Sequence, residues 1–395
     1  MKRFLNYLRT NPIKTVGERN EVDNTMNIIL WTQVIFGLQI LNPKWTWKTS
    51  LLQHFLNGCL SVYVAWGTYN FIKKTKDVQF IAEASFTLIL VCTRIFKGYL
   101  FASKKNVFQK LYLIAKTYIF HLLKADSADR TALVMGKKAI HMFFTVLMIP
   151  VVFYSLIPML YYFRGNRILV SNVTSILMPM SSPYYEIGSI LHIMSIFQIS
   201  FVILVVDLWF VILMLFYCMA SDKIVKILEV ENKGLDEDNK QYADRLNNSL
   251  KNFYEVHMNI NEFLNIMSEM YRWLAVVPLY MVALCTCCIL LLTSNKINLA
   301  FTSTAIPLLS EIFVFNWFGE QVKTKAENLN LALLHYDWIS MHPKDIKCYH
   351  IILCYMNKTF SIKTAFGNEL SLITLTSVLK ATYQAFTVLR TLDNN

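Results

Sequence analysis

Five polar residues near the end of the chain, Ser377, Lys380, Gln384, Thr387 and Thr391, advance by three, four, three and four positions through an otherwise apolar run. On an α-helix this spacing places all five on one narrow stripe. A row of hydroxyl, amide and ammonium groups either lines an aqueous pathway or ties one helix to another through hydrogen bonds. Lys380 favours water, because a lone ammonium in lipid is costly. A second candidate pair is Asp207, inside the run VILVVDLWFVILMLF, and Arg94. Their charges are expected to meet as a buried ion pair. Glu83 is expected near the outer end of its helix, in contact with solvent. The histidines are scattered, and no HExxH, GxSxG or Walker spacing occurs, so the chain carries no recognisable catalytic set. Cys285-Thr286-Cys287-Cys288 has a superficial likeness to a metal-ligand cluster, but it stands in an apolar run without a neighbouring His or carboxylate. It reads as packing, and neither metal nor cofactor is expected.

The elements that must hold these residues are seven apolar runs near 51–72, 78–96, 139–162, 188–217, 271–293, 298–318 and 366–389. Each reaches or nearly reaches the roughly 20 helical residues that cross a bilayer core. A mean hydropathy of +0.40 agrees with an all-α polytopic membrane protein of seven transmembrane helices. Of the 38 Lys and Arg, 28 fall in the alternate gaps 1–50, 97–138, 218–270 and 319–365. Basic gaps stay cytoplasmic, so the amino terminus is expected inside and, after an odd number of spans, the carboxyl terminus outside. The net charge of +12 therefore points to anionic lipid headgroups rather than nucleic acid. The first 25 residues carry Lys2, Arg3, Arg9, Lys14 and Arg19 without an apolar core, so no cleavable signal is expected.

The chain divides on this reading into a cytoplasmic segment 1–50, a membrane bundle 51–318, cytoplasmic helices in 319–365, and a final span with a short outer tail in 366–395. Residues 27–41 are apolar but too short to span, which suggests an interfacial or re-entrant helix followed by a break at Pro43, with Trp45 and Trp47 at headgroup level. Leu246, Leu250, Phe253, His257, Ile260, Leu264, Met267 and Tyr271 recur at heptad spacing, as do Val322, Ala326, Leu329, Leu333 and Tyr336 after the sixth run. With residues 345–357 they predict a helical bundle beyond the bilayer, serving subunit packing or oligomer anchoring. The sequon Asn172-Val173-Thr174 lies in an expected outer loop and is a candidate glycosylation site; those at Asn247 and Asn357 fall in expected inner gaps.

The tail from Phe318 to Leu392 resembles the insect odorant receptor family. FGEQVKTKAENLNLALLHYDW (318–338) is similar to the family's Phe-Gly-Asn segment with a Trp some twenty residues on, and AFGNELSLITLTSVLKATYQAFTVLRTL (365–392) to its last-helix signature. Asp207 followed by Trp209 and Phe210 also resembles the family pattern. Glu320 stands where the family usually has Asn, and Thr382 where Ser is commoner. Gustatory receptors end in Thr-Tyr, five apolar residues and Gln. Here Gln384 interrupts the apolar five after Thr382-Tyr383, and Leu389 takes the Gln position, which favours the odorant branch.

That resemblance implies an inverted seven-helix subunit of a tetrameric odorant-gated cation channel, in which a tuning receptor joins a shared co-receptor in the plasma membrane of the olfactory neuron dendrite. It implies that the last helix lines the pore, with Lys380, Gln384 and Thr391 on the conduction path and Val388 and Leu392 as an apolar gate. A volatile ligand would lie in the outer half of spans two to six, against aromatic walls for which Phe86, Phe153, Tyr154, Tyr185, Tyr280 and Phe301 are candidates. The alternatives are a gustatory-type channel, a G-protein-coupled receptor and a secondary transporter. The second needs the opposite orientation and a cytosolic tail, for which three residues after Leu392 leave no room. The third would show an internal repeat, and none is visible. The charge alternation sets the first test. An epitope placed after Asn395 is expected to bind antibody on intact cells, and one before Met1 only after permeabilisation; the reverse pattern would refute the inverted topology.

Overall fold

The computed structural model describes residues 29–33, 37–42, 44–46, 51–74, 77–123, 127–170, 172–176, 178–230, 237–295, 299–356 and 360–393. The basic residues of the first 28 positions, Pro43, Trp47 and the Asn357 sequon lie outside them. All seven apolar runs form helices. They are α1 (Leu51–Lys74), α2 (Val78–Ser103), α4 (Ser127–Phe163), α5 (Tyr184–Leu228), α7 (Val282–Asn295, entered through a π turn at Val277–Met281), α8 (Leu299–Leu334) and α10 (Leu372–Asp393). Among the described residues six helices are long and apolar enough to cross a membrane, and α1 falls short of that hydropathy because Asn57, Thr68 and Asn70 dilute it. The other helices of ten or more described residues are α3 (Lys105–Ile114, continued through a π turn at Ala115–Ile119), α6 (Asn239–Tyr271) and α9 (Pro343–Met356).

The centre of the bundle is α5. Its 45 residues extend about 67 Å at 1.5 Å per residue, more than twice the roughly 30 Å of a bilayer core. A helix that is apolar all round must be covered on all sides, and the middle of α5 is: every residue from Leu204 to Met214 is buried. Its aromatic rings set the neighbours. Phe210 stacks on Phe315 of α8 with centroids 4.1 Å apart and meets Tyr271 edge-on at 5.0 Å, while Trp209 packs against Phe108 of α3 at 5.0 Å. Tyr271 Oη donates to the Val206 carbonyl at 3.1 Å, so the buried phenol is satisfied.

Several helices run past the expected span ends, since a helix leaving the bilayer continues wherever another apolar face covers it. On α6 the heptad residues Leu246, Leu250, Phe253, Ile260, Leu264, Met267 and Tyr271 are all buried. Tyr336 Oη donates to the Leu246 carbonyl at 2.5 Å, and Tyr349 of α9 to the Leu333 carbonyl at 3.0 Å, tying α6, α8 and α9 into one bundle. Residues 29–33 are helical while 37–42 are not, so the expected helix over 27–41 is shorter among the described residues; Ile29, Leu30, Ile40 and Trp45 sink into this core and Trp31 stays exposed. Trp45 is buried, with its carbonyl accepting from Lys105 Nζ at 2.5 Å, and is therefore no headgroup anchor. The last helix begins at Leu372 rather than 366, because residues 360–371 form a folded turn instead.

His257 stacks on Phe253 at 5.8 Å and meets Tyr355 of α9 edge-on at 6.3 Å, and burial pulls its pKa down to about 4. An imidazole held neutral by burial costs stability once the unfolded chain takes up a proton. Stability is complete above the ordinary histidine value near 6.5. It falls as pH drops from there toward 4, by up to about 1.4 kcal/mol per pH unit. Thermal melts of the purified protein should show that decline, and His257→Phe should flatten it.

Candidate functional site

Between α2, α4, α5 and α8 lies a cavity of about 170 Å³. Two helix-interior prolines, Pro150 of α4 and Pro307 of α8, stand on its wall. A proline inside a helix removes one backbone hydrogen bond and presses on the preceding turn. Aromatic and aliphatic side chains make most of the remaining lining. Phe86 and Phe301 meet edge-on at 5.7 Å, and Tyr154 and Phe301 at 6.0 Å, so three of the six aromatic candidates gather at this wall. Its polar groups include His192 and Ser195 of α5, Thr87 of α2, and Thr304 and Glu311 of α8. Sequence reasoning missed His192, although its place in an apolar run was the available signal.

The other three candidates lie elsewhere. Tyr185 is buried with its hydroxyl donating to the Ile168 carbonyl at 3.0 Å and accepting from Ile168 N at 3.3 Å, so it pins the loop joining α4 to α5. Tyr280 receives a hydrogen bond from Asn368 and packs edge-on against Phe366 at 5.6 Å, in the turn before the last helix. Phe153 is half-buried and does not line the cavity. The expected wall from the fifth span is also absent from the lining; α7 packs behind it instead.

A 3-10 turn, Asn172–Ile176, roofs the cavity with Val173 and Ile176. Glu83, expected in solvent, is buried and holds this turn, accepting from Asn172 Nδ2 at 3.2 Å and Val173 N at 3.1 Å. Tyr63 of α1 donates to the Ile176 carbonyl at 3.3 Å. Asn172, the sequon residue, is itself exposed.

At the opposite end of the cavity the expected Arg94–Asp207 pair does not form. Asp207 Oδ1 lies 2.6 Å from Lys97 Nζ, which also reaches Glu311 Oε1 at 2.8 Å, and all three side chains are buried. The sequence reading ended the second span at 96 and left Lys97 in a basic gap. In fact α2 continues to Ser103, and Lys97, one turn beyond Arg94, is the residue facing α5 and α8. Arg94 instead donates to Ser61 of α1.

The start of the helix that carries the polar stripe is held by side chains of α8. Asn316 of α8 bonds back to the Ile312 carbonyl through Nδ2 at 2.8 Å and accepts Ser371 N on Oδ1 at 3.2 Å. Glu320 Oε2 accepts Leu372 N at 3.1 Å, a carboxylate at a helix N-terminus, where the dipole favours it. Between them Gly319 lets the Leu370 backbone approach so closely that a Cβ would overlap its carbonyl. Lys323 closes the junction on Glu369 at 2.8 Å. The hydrogen bonds from Lys323 and Ser361 pull the Glu369 pKa down to about 2. Beyond this junction α10 is largely uncovered. Ser377, Lys380, Gln384, Val388 and Thr391 are exposed, and Thr387 is half-buried. Thr387 and Thr391 hydroxyls turn back to the Gln384 and Val388 carbonyls at 2.8 and 2.6 Å. The side chain of Leu392 lies outside the described residues.

Membrane-length helices around an apolar cavity define a polytopic helical membrane protein with room for a small ligand. The chain belongs to the 7tm odorant receptor family, whose model, described as 7tm Odorant receptor, matches residues 77–383. It is accordingly a multi-pass receptor and not an enzyme. Among solved structures it is similar to the insect olfactory receptor OR5 from Machilis hrabei in complex with eugenol. The TM-score is 0.73 at 13% identity, over 94% of this chain and 100% of that one. A second structure of the Machilis hrabei OR5 gives a TM-score of 0.71 at 12% identity, over 94% and 99% of the two chains. Comparison with curated protein sequences found no match.

Because Lys97 is the shared partner of two buried carboxylates, Lys97→Met should destabilise by about 3–5 kcal/mol. Adding Asp207→Asn and Glu311→Gln to it should restore much of the loss, measured as thermal midpoint and monodisperse yield of purified protein.

Proposed function

We propose that this chain is the odorant-binding subunit of a ligand-gated, non-selective cation channel, assembled with a co-receptor subunit in the plasma membrane of the olfactory neuron dendrite. Its amino terminus is cytoplasmic and its carboxyl terminus extracellular. The domain limits carry over as a cytoplasmic 1–50, a ligand-binding bundle 51–318, anchor helices in 319–365 and a pore helix in 366–395. The volatile ligand occupies the cavity, and α10 lines the pore. The observation that carries this reading is one continuous apolar cluster. It runs from the cavity wall at Phe86, Phe301 and Leu308, through Val282, Cys285 and Ile289 of α7, to Leu375 and Val378 of α10. A ligand that spreads the wall moves side chains already in contact with the last helix. Cores are close-packed, so such a displacement is transmitted rather than absorbed.

Two further features support it. A cavity of about 170 Å³ is close to the roughly 150 Å³ engineered cavity that takes benzene, a size suited to a small volatile molecule. The uncovered polar face of α10 needs water or a partner at bilayer depth, and a pore between subunits supplies both. By this mechanism Val388 and Leu392 close a dewetted ring, Gln384 and Thr391 face the permeating ion, and Lys380 raises the barrier a cation meets.

Whole-cell recording with a co-receptor, while G-protein signalling is blocked, tests the reading. Odorant currents should appear only in the paired cells. Leu308→Trp, which fills the cavity, should shift the odorant concentration dependence at least tenfold at unchanged surface level, whereas Lys380→Gln should alter permeability or conductance and spare that dependence. Wild-type behaviour of both variants would remove the cavity and α10 from the mechanism.

A further inference from the structure

The cavity wall carries two polar atoms without a hydrogen-bond partner among the described residues: Tyr154 Oη on α4 and His192 Nε2 on α5, both buried. Two other hydroxyls on this wall turn back to their own helices, Thr304 to the Phe301 carbonyl at 2.6 Å and Thr87 to that of Glu83 at 3.2 Å. A tyrosine cannot reach its own helix in this way, and its ring is fixed edge-on to Phe301. Buried polar groups are nearly always paired, and an orphan on the wall of a ligand cavity marks where a ligand atom belongs.

We propose that the cavity selects a small neutral molecule bearing a hydroxyl group, held by hydrogen bonds to Tyr154 Oη and His192 Nε2. This rests on the cavity's being the ligand site and adds the class of ligand it takes. A hydroxyl both donates and accepts. It can accept the phenolic proton while donating to an unprotonated Nε2, or donate to Oη while accepting from a protonated one, so either imidazole tautomer is served. A hydrocarbon of the same shape fills the apolar walls but leaves both orphans unpaired, and a site built with polar groups rejects ligands that leave them so. The one carboxylate on the wall, Glu311, already engages Lys97 at 2.8 Å, so an ammonium ligand is not needed to balance it.

Benzyl alcohol, benzaldehyde and toluene are matched probes for this site. Their affinities can be read as ligand-dependent thermal shifts of the purified full-length protein, which requires no channel assembly. Benzyl alcohol should bind most tightly. Tyr154→Phe and His192→Leu should each weaken benzyl alcohol roughly three- to tenfold and leave toluene nearly unchanged. Tyr154→Phe removes an unpartnered atom and should melt no lower than wild type without ligand, so it decides the matter even if His192→Leu folds poorly. Equal affinity for benzyl alcohol and benzaldehyde, an unchanged preference over toluene in Tyr154→Phe, or no binding of any probe would each overturn the proposal. Leu308→Trp separates the two claims. If it leaves benzyl alcohol binding intact, the cavity is not the site; if it abolishes binding while Tyr154→Phe keeps the wild-type preference, only the hydroxyl inference fails.

Discussion

A charge in a bilayer has no water to turn to, and the bundle is organised around that constraint. Lys97, Asp207 and Glu311 come from three helices far apart in sequence, and Lys97 Nζ lies within 2.8 Å of both carboxylates, each from a fully or almost fully buried position. None of α2, α5 and α8 could cross the membrane comfortably with its charge alone. Joined, they fix the relative depth and rotation of the three helices that supply much of the cavity wall. Such a triad specifies geometry more than it adds stability, because desolvating three charges offsets much of their attraction. The flat stack of Phe210 on Phe315 lies beside it, with Lys97 Nζ 6.0 Å from the Phe315 ring.

Above this fixed point lies the cavity. Pro150 of α4 and Pro307 of α8 stand on its wall within continuous helices, and a short 3-10 turn, rather than a helix, forms the roof. Glu83 holds that roof through two hydrogen bonds, a light attachment beside the packed aromatic core below. The rigid triad at one end and the tethered turn at the other give the cavity a stable floor and a lid of fewer contacts.

The last helix is hydrogen-bonded to α8 at its start and packs one apolar face on α7, with its polar stripe uncovered. Asn316, Gly319 and Glu320 lie on one stretch of α8 and receive the turn that introduces α10, while the stripe beyond is left open. Glu320 replaces the Asn usual in the family, yet its longer side chain finds the free N–H at the start of α10. In the proposed channel, this arrangement lets the outer part of α10 move while its base stays registered to the anchor helices.

The seven helices, the heptad seam of α6 and the stripe on α10 were legible in the sequence because each depends on periodicity within one segment. Three of the aromatic cavity residues were legible too, since a membrane cavity must be walled by such side chains. What the tertiary structure alone decided is every pairing between segments. The sequence offered Arg94 for Asp207, because local hydropathy placed Lys97 beyond the membrane; only packing against α5 and α8 shows that α2 stays helical to Ser103 and buries it. Tyr185 and Tyr280 have the composition of a ligand wall but serve a loop and a turn, because a ring's role is set by which neighbour it faces. His192 looked like one scattered histidine among eight. Its meaning depends on a cavity that no single helix contains.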